Sequence, residues 1–306
     1  MNLQDALTDA GFRAGWAALK VLPEPAAQRL FRRVADRTWS RQGQSVLQLK
    51  ANLARVLDDN ELAHLDDITH DAVRAYMRYW CEVFRQPLWT PEVISSRFIL
   101  QNRKVLDDAL EVGGAIVAMP HMGNYDLAGA WGTVQYGALS TIVERLKPES
   151  LYQQFVAHRE ALGVEILPLG DPDSFRTLVR RARDGGLICL LADRDITHSG
   201  VDVDFFGERA RMPAGPATLS VLTGAALIPG TLWAEGETNY GRVGEPIPIP
   251  ESGSRQEKVA AMTQLLANYF EGGIAERPAD WHMMQPVFTA DFDEAHLDLS
   301  GVGDRT

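Results

Sequence analysis

The chain is poor in cysteine: it has two in 306 residues, Cys81 and Cys189, each inside an apolar run (YWCEVF and LICLLA). Two such residues cannot staple a fold, and the pattern suits a chain kept reduced. No run of 18 apolar residues occurs, so no membrane-spanning helix is expected. Asp5 precedes the first basic residue and no short apolar core follows it, so a secretory leader is not expected either. Several chemical signatures are missing. There is no G-x-x-x-x-G-K-[ST], no G-x-G-x-x-G between a strand and a helix, and no G-x-S-x-G nucleophile elbow. H-E-x-x-H and C-x-x-C are absent as well. These gaps weigh against nucleotide hydrolysis, hydride transfer, serine esterase chemistry and the common zinc sites. Positive charge is in deficit, with 30 Lys+Arg against 41 Asp+Glu and a net charge of −11, which argues against nucleic acid as a partner. What remains is ordinary for a globular protein with a sizeable core: 45% hydrophobic and 23% charged residues, with no repeat or low-complexity tract.

The positive charge that exists gathers at the front. Residues 1–50 hold eight basic residues against four acidic ones, while the last 16 carry five acids against Arg305. Residues 3–22 place Leu3, Leu7, Phe12, Trp16, Leu19 and Leu22 at helical spacing, and Pro23 and Pro25 end that pattern. Residues 26–41 set Leu30, Phe31 and Val34 beside Arg29, Arg32, Arg33 and Arg37. Two readings are open. The first is a pair of helices lying in the plane of an anionic membrane surface. The second is a pair of amphipathic helices packed on the body with a solvated arginine face.

Residues 1–90 read as mostly helical, with apolar spacing also in 46–57, 61–66 and 70–85. From residue 97, short apolar runs alternate with helical stretches. Candidate strands are 98–100, 115–118, 141–143, 165–167, 187–191 and 226–232, and candidate helices are 103–111, 125–136, 149–161, 173–184, 214–223 and 255–275. The alternation predicts an α/β fold, a largely parallel central sheet flanked by helices, with an amphipathic helical N-terminal segment. One unit over 1–306 is expected: a helical front 1–90, an α/β body 91–290 and an acidic tail 291–306.

The most unusual segment is AIVAMPHMGNYDLAGAWG, residues 115–132. A strand-like run ends at Pro120, then His121, Gly123, Asn124 and Asp126 precede a helical pattern. Asn124 suits the N-cap and Asp126 the first turn, where the helix dipole favours a carboxylate. His121 therefore belongs to a strand-to-helix loop, a common mount for catalytic groups. Residues five apart on one helix point roughly 140° away from each other. His121 and Asp126 meet only if a bend at Gly123 turns the histidine out of the helix. If they meet, Asp126 fixes the imidazole tautomer, and His121 serves as general base for a substrate hydroxyl. If they do not, Asp126 is a capping acid and His121 an unrelated loop residue.

This His-x4-Asp segment with its Gly-Asn centre resembles the signature of glycerolipid and lipid A-type acyltransferases. Three further segments agree: TIVERLKPESLYQQFVAHREALG at 141–163, ADRDITHSGVDVDFFGERARMPAGPATLSVLTGAALIPG at 192–230 and PADWHMMQP at 278–286. Together, from about residue 10 to 290, they look most similar to the phosphatidylinositol mannoside acyltransferases of actinobacteria. The resemblance implies transfer of a fatty acyl group, typically palmitoyl, from acyl-CoA to a mannose 6-hydroxyl, with acyl-CoA as substrate and no further cofactor. It implies peripheral attachment to the cytoplasmic face of the cell membrane through the basic front. It makes His121, Asp126 and Asp193 the catalytic candidates, and Glu144, Arg159, Arg194 and Ser199 the substrate-binding ones. Arg159 falls on the family's R-E-x-L-G element and, with Lys147, Arg194, Arg209 and Arg211, suits the phosphates of coenzyme A. Ser199 in THSG falls on the CoA side by the same resemblance.

Glu144 and Asp193 follow strand-like runs, where carboxylates can bind sugar hydroxyls at the carboxyl ends of strands. Asp193 stands where relatives often have Glu, Asp195 is near enough to share its role, and Tyr125 replaces the more usual Trp. Phe205 and Phe206 either line an acyl tunnel or belong to the core, and Trp281 and His282 read as packing. Other readings stay open: a lipid A-type enzyme with another glycolipid acceptor, a metal-dependent hydrolase using His121, Asp126 and Asp193, or a lipid-binding protein without catalysis.

Overall fold

The computed structural model describes residues 19–145, 149–197 and 199–292. Most of the helix expected over 3–22, Lys147 with the centre of its ERLKP element, and the tail from 293 onward lie outside these residues.

Seven strands form the central sheet: β1 (Phe98–Gln101), β2 (Ala115–Met119), β3 (Leu139–Val143), β4 (Val164–Pro168), β5 (Leu187–Leu191), β8 (Ala226–Glu235) and β9 (Thr238–Val243). Two more, β6 (Val201–Phe205) and β7 (Glu208–Met212), pair as a separate antiparallel hairpin. The sheet order is β1-β9-β8-β2-β5-β3-β4, parallel at every junction except β8–β9. Every residue of β2 is buried. Such uniform burial is what a central parallel strand covered on both faces requires. Ile116 and Ala118 join the apolar cluster on one side, and Ala115, Val117 and Met119 join the other. The expected α/β architecture, a largely parallel sheet flanked by helices, is the observed one.

Several element boundaries fall close to the expected ones. The helices Tyr125–Tyr136 and Glu149–Ala161 and the strand Leu187–Leu191 lie where the spacing places them. Two features were not anticipated. Strand β9 reads TNYGRV, whose Asn and Gly have little intrinsic strand preference. Its pairing with β1 and β8 holds it, and a side chain at Gly241 would reach within 2.7 Å of Phe98. The hairpin β6–β7 carries Phe205 and Phe206, for which a tunnel wall and a core position were both open. Phe205 is fully buried between Trp281 and Phe288, so it takes the second of these, a place in the core.

In the helical front, the helix Glu24–Arg41 packs on the helix Leu65–Arg85. Its buried positions are the small Ala27 and Ala35, with Phe31 against Phe84 between them. Leu30 and Val34 are 44% and 41% exposed, and the row Arg29, Arg33, Arg37, Arg41 runs beside them in solvent. Leu30 and Val34 thus point away from the core, while Phe31 and Trp39 pack against it. Among the described residues no helix is long and apolar enough to cross a membrane.

Candidate active site

Strands β2 and β5 are parallel neighbours, with Met119 opposite Leu191. The amide of Ala192 continues the ladder by donating to the Met119 carbonyl at 2.9 Å. Two residues beyond each strand end, the two chains deliver His121 and Asp193 at the same level. His121 Nδ1 lies 2.6 Å from Asp193 Oδ1, and the His121 amide donates to Oδ2 at 2.9 Å. Trp281 Nε1 also donates to Oδ2, at 2.9 Å. The Asp193 side chain is fully buried while that of His121 is 32% exposed, so the pair is anchored inside and open outside. Burial opposes ionisation of Asp193, but the attraction and hydrogen bonds of His121, with the Trp281 donor, hold its carboxyl below the usual range. An ionised Asp193 accepts the Nδ1 proton and leaves the Nε2 lone pair of His121 for a substrate.

The loop carrying His121 is tied on three sides. The His282 amide donates to the His121 carbonyl at 2.8 Å, and the Gly123 amide to the Asp280 carbonyl at 2.9 Å. Gly123 adopts φ +57°, and a side chain there would reach within 2.7 Å of the Leu232 backbone, so the bend requires glycine. Asn124 caps the following helix, its Oδ1 accepting from the Leu127 amide at 2.9 Å, as its position in the sequence suggested. Glu82 fixes that cap from the helix Leu65–Arg85, accepting from Asn124 Nδ2 at 2.7 Å. His282 is buried, and desolvation pushes its imidazole down to about 3, so it is neutral.

The bend at Gly123 does turn His121 out of the helix, but toward Asp193. Asp126 faces a different group. It accepts from Arg159 Nε at 2.6 Å and Nη2 at 3.1 Å, and from the Tyr79 hydroxyl at 2.7 Å. The conditional His121–Asp126 dyad is therefore corrected: the histidine's acid is Asp193, and Asp126 is one half of a buried ion pair. Burial raises the Asp126 carboxyl, but the Arg159 charge and its hydrogen bonds outweigh this and hold it below the usual range. Arg159 commits Nε and Nη2 to Asp126 and, with it, lines the apolar cavity described below.

The remaining candidates separate into two places. Glu144, exposed at the end of β3, and Asp193 both lie close enough to the partly buried Arg194 for their charges to act on it, although burial prevails and lowers the guanidinium's proton affinity. Glu144, Arg194, Asp193 and His121 thus share one edge of the sheet. Ser199 sits on the loop before β6, its hydroxyl 2.7 Å from that of Thr197. Asp195 closes this loop by accepting from the Thr197 and Gly200 amides at 2.8 and 2.6 Å, so it does not share the role of Asp193. Arg211 pairs with Asp202 at 3.0 Å on the hairpin, the surface ion pair that a lone arginine most often makes. Among the described residues no group of three His, Cys, Asp or Glu is placed to hold a metal ion. The cation beside Asp126 is Arg159, so the metal-dependent hydrolase reading loses its ligand set.

Sequence reasoning missed two partners. Tyr79, on the front helix, holds Asp126, and Trp281 holds Asp193. The only sequence signal for Trp281 was its place in the PADWHM block.

Beside this edge an apolar cavity of ≈ 120 Å³ runs between the helix Tyr125–Tyr136 and the sheet. Val117, Met119, Leu139 and Val164 line it, as do Tyr125 and the small Ala128, Gly129 and Gly132 of that helix. The His121 ring stands edge-on to Tyr125, with centroids 6.0 Å apart, so one aromatic ring separates the exposed imidazole from the cavity.

An imidazole paired with a buried acid at strand ends stands next to an apolar cavity. A model of the bacterial lipid A biosynthesis acyltransferases matches residues 5–290, and the chain belongs to that family of acyltransferases. It is 44% identical over 291 residues to the phosphatidylinositol mannoside acyltransferase of Mycolicibacterium smegmatis, covering 94% of this chain and 93% of that one. It is 45% identical over 293 residues to the phosphatidylinositol mannoside acyltransferase of Mycobacterium tuberculosis, covering 94% and 90%.

Proposed function

We propose that this acyltransferase moves a palmitoyl group from palmitoyl-CoA to a mannose 6-hydroxyl of a phosphatidylinositol mannoside, with His121 as general base. The observation that carries the reading is the Asp193–His121 pair, buried at the acid and open at the imidazole, beside the apolar cavity. His121 Nε2 takes the sugar hydroxyl proton as the oxygen attacks the thioester carbon. A C–O bond forms, the C–S bond breaks, and the proton held on His121 passes to the departing coenzyme A sulfur. A thioester is already activated, so no covalent enzyme intermediate is required. The acyl chain occupies the apolar cavity, Arg194 offers the donor a cation, and Glu144 binds sugar hydroxyls at the same strand edge. The names of the mycobacterial relatives support the acceptor, and the family match supports a second one, a lipid A precursor. Thiol release from palmitoyl-CoA decides between them. Release that depends on phosphatidylinositol dimannoside is expected, and equal or greater release with the lipid A precursor would overturn the acceptor assignment.

Gly129 offers a test of the cavity. A Cβ there meets nothing within 4 Å, so Gly129→Leu fills open cavity rather than protein. It also removes a glycine from a helix interior, a change worth roughly 0.5–1 kcal/mol in favour of folding. The expected outcome is a protein at least as stable as the parent that prefers an acyl chain shorter than palmitoyl. An unchanged chain-length profile would show that the acyl group lies elsewhere.

The enzyme attaches peripherally to the cytoplasmic face of the membrane through the exposed strip on the helix Glu24–Arg41. Leu30 and Val34 supply apolar contact, and each arginine near anionic head groups contributes about 1 kcal/mol. Changing Arg29, Arg33 and Arg37 together to Glu is expected to abolish co-sedimentation with phosphatidylinositol-containing vesicles at low salt. Undiminished co-sedimentation would exclude this face.

A further inference from the structure

Behind the His121 loop, the helices Glu24–Arg41 and Leu65–Arg85 enclose a second, polar pocket. Its walls gather Arg32, Arg74, Arg78, Arg85 and Arg97. An adjoining recess shares Arg32, Arg74 and Arg78 and extends to Gly123, Asn124 and His282, the residues that fix the catalytic loop from behind.

Three of the arginines are matched by carboxylates: Arg97 by Glu24 at 2.6 Å, Arg78 by Glu82 at 2.7 Å and Arg74 by Asp36 at 2.8 Å. Two are not. Arg85 is 8% exposed and donates through Nη1 to the Leu19 and Leu22 carbonyls, each at 2.8 Å. Arg32 is exposed and makes no ion pair among the described residues. Two guanidinium nitrogens, Arg78 Nη2 and Arg85 Nε, are buried with no acceptor among the described residues. A buried donor left unsatisfied costs about 1–3 kcal/mol, and more on a charged group. Both oxygens of Glu24 hold Arg97, so the cations left to an anion are Arg32, which makes no ion pair among the described residues, and Arg78 and Arg85, each with one buried N–H that lacks an acceptor; together they match an oxyanion with several acceptor oxygens.

We propose that this pocket binds a phosphate ester, the inositol phosphodiester of the glycolipid acceptor. The assignment rests on the acceptor class of the proposed function. Two placements favour the lipid head group over other phosphates. Arg32 belongs to the helix whose outer face carries Leu30 and Val34, so the pocket opens beside the strip expected to meet lipid. The recess also reaches Asp280, whose carboxyl suits a hydroxyl of a ring polyol. A phosphate held here would anchor the acceptor behind the loop while its mannose reaches His121.

Titration calorimetry on the full chain tests this, with glycerophosphoinositol, coenzyme A and inorganic phosphate as separate probes. Glycerophosphoinositol is expected to bind. The double variant Arg32→Ala, Arg74→Ala is expected to weaken it about tenfold or more while coenzyme A affinity holds. Arg78→Lys keeps the charge beside Glu82 but removes the Nη2 donor, and a similar loss is expected with the melting temperature unchanged. In turnover, KM for the mannoside rises and KM for palmitoyl-CoA does not. Absent binding, or equal head-group affinity in parent and variants, overturns the proposal. So does a loss confined to coenzyme A or to inorganic phosphate, which would give the pocket to the donor or to a free ion. If the head group binds as expected but no mannoside supports thiol release, the reaction assignment fails and the pocket stands. If transfer proceeds and the variants bind like the parent, the pocket fails alone.

Discussion

His121→Ala is expected to lower thiol release from palmitoyl-CoA by on the order of 10²–10⁴-fold, the usual contribution of a positioned general base. Asp193→Asn should fall in the same range although it changes one atom. The parent carboxylate takes the Nδ1 proton and leaves Nε2 basic, whereas an amide nitrogen facing the imidazole favours the opposite tautomer. The amide nitrogen takes that place because the opposite orientation would set it, donor against donor, toward the His121 amide and Trp281 Nε1, which both converge on Oδ2. Circular dichroism and a cooperative melt must show both variants folded, so that lost turnover is chemical. Substantial acyl transfer by folded His121→Ala would remove the mechanism, and near-parental turnover by Asp193→Asn would remove the relay.

Asp126→Ala is expected to fail in a different way. The pair it forms with Arg159 has side chains 5% and 20% exposed, and the alanine would strand a buried guanidinium and the Tyr79 hydroxyl. Breaking such a pair from one side costs about 3–5 kcal/mol. At about 2–4 °C per kcal/mol for a chain of this order of size, the melting temperature should drop by on the order of 10 °C. Replacing both partners by apolar residues should recover much of that loss, because no charge is then left unpaired. The pH dependence follows from the sign of the shift. The folded Asp126 carboxyl lies below its ordinary value, so its stabilisation is complete above that ordinary value. It is lost as pH falls through the depressed one. Asp126→Ala should therefore differ most from the parent near neutrality and least in strong acid. A variant with parental stability at pH 7 and no turnover would return Asp126 to the chemistry.

These two outcomes bear on what was legible in the residues. The strand-to-helix loop at 120–124 was readable, because an apolar run ending at Pro120, a glycine and a capping asparagine are local signals. The helix Tyr125–Tyr136 and the strand Leu187–Leu191 were readable for the same reason: a capped start in the one and a short continuous apolar run in the other lie within one window of sequence. Strand β9 was not, because its residues take their conformation from neighbours rather than from their own preference. Phe205 and Phe206 show the limit for side chains, since composition could not say which face of a hairpin meets the core.

His121 and Asp126 are close in sequence, and that closeness suggested a dyad that the chain does not form. The sequence by itself determined the α/β alternation, the loop that exposes the histidine and the acidic residues able to serve it. The tertiary structure alone decided which acid does so. His121 and Asp193 are 72 residues apart and meet because β2 and β5 run parallel in a register that ends both strands at one level. Asp126 is drawn away by Tyr79 and Arg159, 47 and 33 residues distant. A carboxylate in the interior goes to the partner that best offsets its desolvation, and which partner is within reach is set by how the sheet and helices pack.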